Sequence, residues 1–426
     1  MKRLLIIFYF FTLILQSNAQ RILTLDECCR LAVENNKQSQ LSNFSLKQAE
    51  LQVKNMESNF LPKFSASGGY LYANKDFIME LAPSFSAGLN LNNSYFAGLQ
   101  LEQPIYTGGK IIAAHKMALT NVSIAHLNKK QTDSDIRLET EESYWNLVKA
   151  KELFTVSTKY KEAVQELYKN VNHSYKNGII PKNELLKVQV KLNEAILSER
   201  RAENAIHLSR MDLCHKIGLP LSQEIEIAYN SETTNIPFPE KIPFNVENRY
   251  EYQILRDNIY LKEQKIKAIR SEFLPQIGLV AGYNYMNGIK MNNKKFLSDD
   301  IFAVMLAVKV PLFHWGEGRR KIKSAKIEKQ MAELQQSDLA EAMQLEVAQS
   351  TNMLDEAKLE VKLTESAYQQ AKENLYENEK SYHAGMETLS NYLEAQAAWQ
   401  KAWSELVIAK ATLHIAYAKY LKSIAN

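Results

Sequence analysis

The sequence contains itself twice, and this duplication limits the fold more than any other feature. Residues 58–72 read SNFLPKFSASGGYLY and residues 271–285 read SEFLPQIGLVAGYNY. Ser58, Phe60, Leu61, Pro62, Gly69, Tyr70 and Tyr72 thus recur as Ser271, Phe273, Leu274, Pro275, Gly282, Tyr283 and Tyr285, at an offset of 213. Two further pairs keep an offset of 207: LEQPIYTGG (101–109) with VKVPLFHWG (308–316), and SYKNGIIPKNELL (174–186) with SYHAGMETLSNYL (381–393). Pro104 and Tyr175 are 71 residues apart, as are Pro311 and Tyr382. Such equal spacing marks a duplicated structural unit, and a unit of about 200 residues is far longer than a solenoid repeat. The chain divides into a first repeat over 20–219, a linking segment over 220–245 and a second repeat over 246–426, preceded by residues 1–19. The linker carries Pro220, Pro237, Pro239 and Pro243 and is expected to form an equatorial belt.

Both repeats read in one order: helix, two strands, a very long helix, a tight turn and a returning helix. Glycine (14) and proline (10) are scarce in 426 residues, about half their usual share, which favours long uninterrupted helices. Val347, Leu354, Val361, Tyr368, Leu375 and Tyr382 fall seven apart. Leu147, Phe154, Lys161, Tyr168 and Tyr175 hold the same frame in the first repeat, with Lys161 the one polar member. On the returning helix Tyr392, Ala395, Trp399, Ala402, Leu406, Ala409, Leu413, Ala416 and Tyr420 step by three and four without a break. Leu185, Val188, Leu192, Ala195, Glu199, Ala202, Ile206, Ser209 and Leu213 answer in the first repeat. This period predicts antiparallel coiled-coil hairpins with left-handed supercoiling. The first outgoing helix, from about Gly109 to Asn177, would be on the order of 100 Å long. Asn177-Gly178 and Ala384-Gly385 interrupt the pattern where a left-handed residue would stop each helix.

Between the helices lie four strand candidates. Ile277, Leu279, Ala281, Tyr283 and Tyr285 share one face of 277–285; Phe302, Val304, Leu306, Val308, Val310 and Leu312 share one face of 302–312. Phe64, Ala66, Gly68, Tyr70 and Tyr72, then Ala97, Leu99, Leu101 and Ile105, repeat the alternation in the first half. Period two with one apolar face means half-buried strands. Their length of about ten residues suits tilted transmembrane β-strands. The aromatic residues Tyr70, Tyr72, Tyr106, Tyr283, Tyr285, Phe313 and Trp315 gather at the strand ends, as in interfacial girdles. The joins at Ala73–Ser94 and Met286–Asp300 are expected to be external loops.

The first 19 residues read as an export signal. Lys2 and Arg3 precede an apolar run from Leu4 to Leu15, and Ser17 and Ala19 supply small residues before the expected cleavage. No later segment has 18 consecutive apolar residues, so entry into a membrane has to be by strands. Four strands cannot close a barrel, so several protomers must contribute. The formal charge of +4, or +2 without the signal, is too small to argue for nucleic acid.

The ordered set of LTLDECCRLAVENN, two FLP-plus-glycine strands, two P-[IL]-[YF]-x-x-G junctions and two SY-x-x-G tips resembles the TolC-like outer membrane factors. The resemblance to this outer membrane efflux protein family runs from residue 22 to about 424. It implies a mostly α fold with a membrane β-barrel part. Four strands per protomer would join a 12-stranded trimeric barrel in outer membrane lipid. The helical hairpins would build a periplasmic α-barrel. It also implies a homotrimer that docks a periplasmic adaptor and an inner-membrane RND or ABC transporter, for efflux or type I secretion. Conduction would be passive, without cofactor.

In that family, polar and charged side chains near the helix tips close the tunnel. Six residues past the tip glycine stand Glu184 and Asn391; nine past it stand Lys187 and Glu394. The family's second repeat places acids at both positions, so Asn391 is a departure. Glu387 stands where a basic residue can help the latch, and Tyr382 matches an aromatic latch position. The resemblance thus implies a constriction built from Tyr382, Glu387, Asn391, Glu394, Glu184 and Lys187, and adaptor contacts at Asn177, Gly178, Ala384 and Gly385. The remaining carboxylates imply a modest cation preference. The plainer reading makes all of these solvated tip residues.

Enzyme signatures are absent. There is no HExxH, CxxC or GxSxG, and Thr107-Gly108-Gly109-Lys110 lacks the upstream glycine of a phosphate loop. Cys28, Cys29 and Cys214 read as small buried hydrophobes, and His207, Cys214 and His215 do not make a zinc spacing. The competing class is a secreted periplasmic coiled-coil scaffold or adhesin. It explains the heptads and export but not four amphipathic strands recurring between them.

Overall fold

The computed structural model describes residues 21–75, 77–82, 85–90, 93–229, 244–291 and 294–424. The export signal read over 1–19 lies outside the described residues, as do residues 230–243 of the linking segment, with its Pro237, Pro239 and Pro243. The first half contains β1 (Arg21–Leu23), α1 (Leu25–Asn35), α2 (Lys37–Glu57), β2 (Lys63–Leu71), β3 (Phe77–Ala82), β4 (Phe85–Asn90) and β5 (Ser94–Tyr106). The hairpin α3 (Lys110–Lys176) and α4 (Lys182–Lys216) and the short β6 (Ile225–Ile227) complete it. The second contains α5 (Tyr250–Ser271), β7 (Gln276–Met291), β8 (Lys294–Lys309), α6 (Glu317–His383) and α7 (Leu389–Ile424). Both outgoing helices, α3 and α6, have 67 residues, and the returning helices α4 and α7 have 35 and 36.

The chain forms two compact units, and each draws on both repeats. The first comprises Met1–Asn43, Asn128–Tyr252 and Leu339–Asn426; the second comprises Phe44–Leu127 and Gln253–Asp338.

The first unit is a side-by-side layer of helices in the order α4–α3–α7–α6. Tyr160, Val164, Leu167 and Val171 of α3 share a core with Val188 and Ala195 of α4 and with Leu389, Tyr392 and Leu393 of α7. Leu354 and Ala357 of α6 pack against Leu413, Ala416, Tyr420 and Ile424 of α7. A third cluster joins Ile136, Tyr144, Leu147 and Val148 of α3 to Leu213 and Cys214 of α4 and to Cys28, Leu31 and Ala32 of α1. It also takes in Leu23 of β1, which runs parallel to β6 in register Leu23↔Ile227. Burial pushes the Cys28 thiol up to about 12. The heptad positions thus line the seam of each hairpin, mostly buried on α7 and half-buried on the outgoing helices. The polar intruder Lys161 meets Glu199 across the first seam at 2.6 Å, and Thr158 Oγ1 donates to the same carboxylate at 3.2 Å.

A pair of related bonds fastens each returning helix at its far end. Asn36, where the chain turns extended between α1 and α2, donates Nδ2 to the Lys216 carbonyl at 3.0 Å. Arg249, just before α5, donates Nη1 to the Ser423 carbonyl at 2.8 Å. Asn36 and Arg249 are 213 apart, and Lys216 and Ser423 are 207 apart, the two offsets of the repeat. Arg249 also pairs with Glu251 at 3.1 Å and Glu346 at 3.2 Å, with its side chain only 6% exposed.

The second unit carries a six-stranded antiparallel sheet in which the four longer strands pair as β2–β5–β7–β8, and β4, with β3 beyond it, pairs the end of β7 in register Leu89↔Met291. Register sets the rows Phe64–Leu101–Ala281–Val304 and Ala66–Leu99–Tyr283–Phe302 on one face. The rows Ser65–Gln100–Gly282–Ala303 and Ser67–Gly98–Asn284–Ile301 lie on the other. One face is therefore apolar and the other mostly small or polar.

The strands outrun their expected bounds. β7 continues to Met291 and β8 begins at Lys294, through a join expected to be a loop, and β3 and β4 form a hairpin inside the other join. Apolar alternation stops near Tyr285, but ladder hydrogen bonds need only backbone, so pairing continues without an apolar face. At the other end β8 stops at Lys309 rather than Leu312, because Pro311 has no N–H to donate.

Candidate functional site

Each hairpin turns at a glycine with φ near +74°, Gly178 and Gly385. Ile179 N–H donates to the Ser174 carbonyl at 2.9 Å and Gly178 N–H to Tyr175 at 2.9 Å. Met386 N–H to Ser381 at 2.8 Å and Gly385 N–H to Tyr382 at 3.0 Å repeat the pattern. These are paired 6→1 and 5→2 bonds, which only a left-handed residue permits without strain. Asn177, Gly178, Ala384 and Gly385 are all exposed. So are Ile179 and Met386, which sequence reasoning passed over. An apolar residue after such a stop ordinarily folds back on the helix, so its exposure in both tips is a departure. Their common place directly after the tip glycine was the signal that could have found them.

The two tips touch within the helical unit. Lys187 Nζ pairs with Glu184 at 2.9 Å and donates to Ser390 Oγ of the second tip at 3.2 Å. Tyr382 stacks on Tyr392, ring centroids 5.1 Å apart and 18° from parallel. Burial and then the Glu184 carboxylate push the Tyr382 hydroxyl up from its ordinary value. Tyr392 is pushed up to about 12, first by burial and then by Glu379.

Glu387 is engaged inside its own tip. It accepts from the Thr388 N–H at 2.8 Å and from Asn391 Nδ2 at 2.6 Å, and these bonds hold its carboxyl below the usual range. Thr388 in turn caps α7 by accepting from the Asn391 N–H at 3.2 Å. Glu394 is exposed and has no ion pair among the described residues. The structure therefore brings Tyr382, Glu184 and Lys187 together, ties Glu387 to Asn391, and leaves Glu394 facing solvent. Of the expected acids, Glu184 is paired with Lys187, whereas Glu387 and Glu394 have no cationic partner among the described residues, Glu387 held by neutral donors and Glu394 open to solvent.

Each unit also exposes an apolar surface. Phe64, Leu99, Phe302, Val304, Leu306 and Val308 are exposed on the apolar face of the sheet. The outer helices of the layer also expose apolar side chains: Leu186, Val190, Ile196, Leu197 and Leu208 on α4, and Leu345, Met353, Leu359, Leu363 and Tyr376 on α6. Among the described residues, no helix is long and apolar enough to cross a membrane.

A family model described as outer membrane efflux protein matches residues 29–218 and 256–425, one segment for each repeat. The fold is similar to the CmeC outer membrane channel of Campylobacter jejuni, with TM-score 0.78 and 18% identity, covering 94% of this chain and 85% of that one. It is also similar to the outer membrane protein VceC of Vibrio cholerae, with TM-score 0.75, 16% identity and coverage of 94% and 96%. The open state of the MtrE outer membrane channel of Neisseria gonorrhoeae matches at TM-score 0.72, with 16% identity and coverage of 94% and 88%. No curated relative matches the sequence significantly.

Proposed function

The chain belongs to the outer membrane efflux protein family and is an outer membrane efflux channel, and from that premise we propose that three copies close into one conduit. The observation that carries this reading is a pair of open edges in each unit. The four longer strands of the sheet end in β2 and β8, and the helical layer ends in α4 and α6, whose outer faces expose apolar rows. Edges of unlike identity meet head to tail, and such contacts make a ring if the rotation closes. β8 antiparallel to a neighbour's β2 would continue the ladder without a break.

Stoichiometry follows from the lumen. A barrel of about eight strands is filled by its own side chains, so two protomers would leave no passage. With the four longer strands of each, three protomers give 12 strands and a larger bore. The apolar face would meet lipid. Tyr95 and Tyr106 are eleven residues apart on β5, and about 37 Å of strand tilted by roughly 40° spans about 28 Å. That matches the apolar band of such barrels.

The helix tips would form the periplasmic mouth, where exposed Ile179 and Met386 offer apolar contact to an adaptor, itself served by an inner-membrane pump. Conduction is passive. Three Glu394 carboxylates would ring the mouth and favour cations. Planar-bilayer recording tests the reading: wild type should give discrete conductance steps with cation preference, and Glu394→Gln should reduce that preference. Absence of steps would sink the channel reading. Unchanged selectivity would remove Glu394 from it.

A further inference from the structure

Where β8 gives way to α6, the second repeat presents an aromatic and basic surface that the first matches only in part: Phe313 answers to Tyr106 and Lys323 to Lys116, whereas Trp315 answers to Gly108 and Arg319 to Ile112. Leu312, Phe313 and Trp315 are 90%, 70% and 82% exposed. Trp315 stands edge-on to Phe313 at 5.0 Å, with φ of 47°, a left-handed conformation that a bulky side chain seldom adopts. Arg320 Nη1 holds it there by donating to the Trp315 carbonyl at 3.1 Å.

Basic residues follow at once. Residues 317–326 read EGRRKIKSAK, five basic residues against one acid. Lys321 is engaged by Glu317 at 2.7 Å and by Glu272 at 3.7 Å. Arg319, Lys323 and Lys326 are exposed and have no ion pair among the described residues. Their spacing of four and three puts them on one face of α6. At the offset of 207, Arg319, Arg320, Lys321 and Lys326 correspond to Ile112, Ala113, Ala114 and Leu119; only Lys323 has a basic counterpart, Lys116. A shared helical architecture therefore does not require these charges.

We propose that this junction, Trp315 with Arg319 and Lys323, is a docking site for anionic phospholipid headgroups of the leaflet that the helices leave. The inference rests on the membrane reading above and adds a lipid class to it. The apolar strand face ends at this junction, so the surface continues a lipid-facing one. Tryptophan seats at the boundary of hydrocarbon and headgroups. The headgroup layer extends about 5–8 Å beyond the hydrocarbon on each side. At 1.5 Å per residue, Arg319 lies about 6 Å and Lys323 about 12 Å past Trp315 along a helix running outward. Arg319 thus stands level with lipid phosphates, and the long Lys323 side chain can reach back to them.

The test uses the full-length oligomer in neutral detergent, offered short-chain phosphatidylglycerol or phosphatidylcholine, with retained lipid counted by native mass spectrometry. Wild type should retain phosphatidylglycerol preferentially. Arg319→Gln/Lys323→Gln should weaken that binding by roughly 30-fold, the effect of two cations near an anionic surface. Lys116→Gln should leave it intact. Equal retention of both lipids by wild type, or an unchanged preference in the double variant, would overturn the proposal. So would displacement of phosphatidylglycerol by inorganic phosphate, which would indicate a free-anion site instead. A protein that needs detergent and forms its oligomer but shows no preference contradicts this inference alone. One that stays monodisperse without detergent contradicts the membrane reading and this inference with it.

Discussion

The two helical hairpins share their lengths and their turn geometry, yet they bury opposite members. In the first hairpin the outgoing helix α3 is central and the returning α4 is exposed, with Val188, Ala195, Leu213 and Cys214 its buried residues. In the second hairpin the returning α7 is central and the outgoing α6 lies at the edge. The duplication kept the backbone plan and swapped which helix carries the core. The difference teaches that a repeat supplies elements, and that a side-by-side layer needs two inner and two outer ones. A fully periodic seam such as that of α7 marks an inner helix, whereas Glu199 interrupts α4.

The largest test of the comparison is at the far ends of the hairpins. Arg249 and Asn36 make the same bond to the end of a returning helix, but only Arg249 is buried with two carboxylates. Arg249→Met strands Glu251 and should cost about 3 kcal/mol or more. Asn36→Ala loses neutral hydrogen bonds and should cost about 1 kcal/mol. Thermal unfolding followed by helical circular dichroism checks both; equal losses would break the distinction.

Next is the seam. Lys161 and Glu199 correspond to Tyr368 and Leu406 at the offset of 207. Their side chains are 26% and 20% exposed, so removing one partner should cost about 1–2 kcal/mol, between the surface and buried cases. The double change Lys161→Tyr/Glu199→Leu copies the second hairpin and should recover most of that loss. A double variant no better than Glu199→Ala would show that the hairpins are not interchangeable here.

A third test uses pH. His414 stacks on Trp145 at 3.5 Å, and burial pushes its imidazole down to about 4. The unfolded chain therefore binds the extra proton first, so stability should fall as pH drops from about 6.5 to about 4 and level off below. For a partly exposed ring the change is on the order of 1–2 kcal/mol. His414→Phe should flatten that dependence. His207, which occupies the same place in the first repeat and is exposed, provides the control variant.

The smallest effect is expected at the tips. Gly178 and Gly385 share φ of 74°, and a methyl group added at either position would meet open space. Gly→Ala at each should cost about 1 kcal/mol of local stability through left-handed strain alone. Hydrogen exchange of the tip amides should report equal loosening. A marked inequality would show that the tips are held by different forces.

Much of this was legible in the sequence. Seven-residue spacing located the seams, the two tip glycines located both turns, and period-two alternation located the apolar face of the sheet. Three things were not. Periodicity says that a helix has a buried stripe, not how many neighbours it meets, so the order α4–α3–α7–α6 was hidden. Strand pairing beyond Tyr285 left no apolar trace. The bond between Lys161 and Glu199 joins residues 38 apart in the sequence, one an intruder on its helix and one within a seam. Both stand 19 residues from Ile180, so folding the sequence at its tip would have paired them. The same holds for Glu184, whose charge could be counted from sequence but whose neutralisation by Lys187 required the turn of helix between them.

The most direct test of the central claim, that open edges of sheet and helical layer close head to tail, is the detergent-corrected mass of the protein extracted from outer membranes. The account predicts three protomers. A soluble monomer or dimer would contradict it.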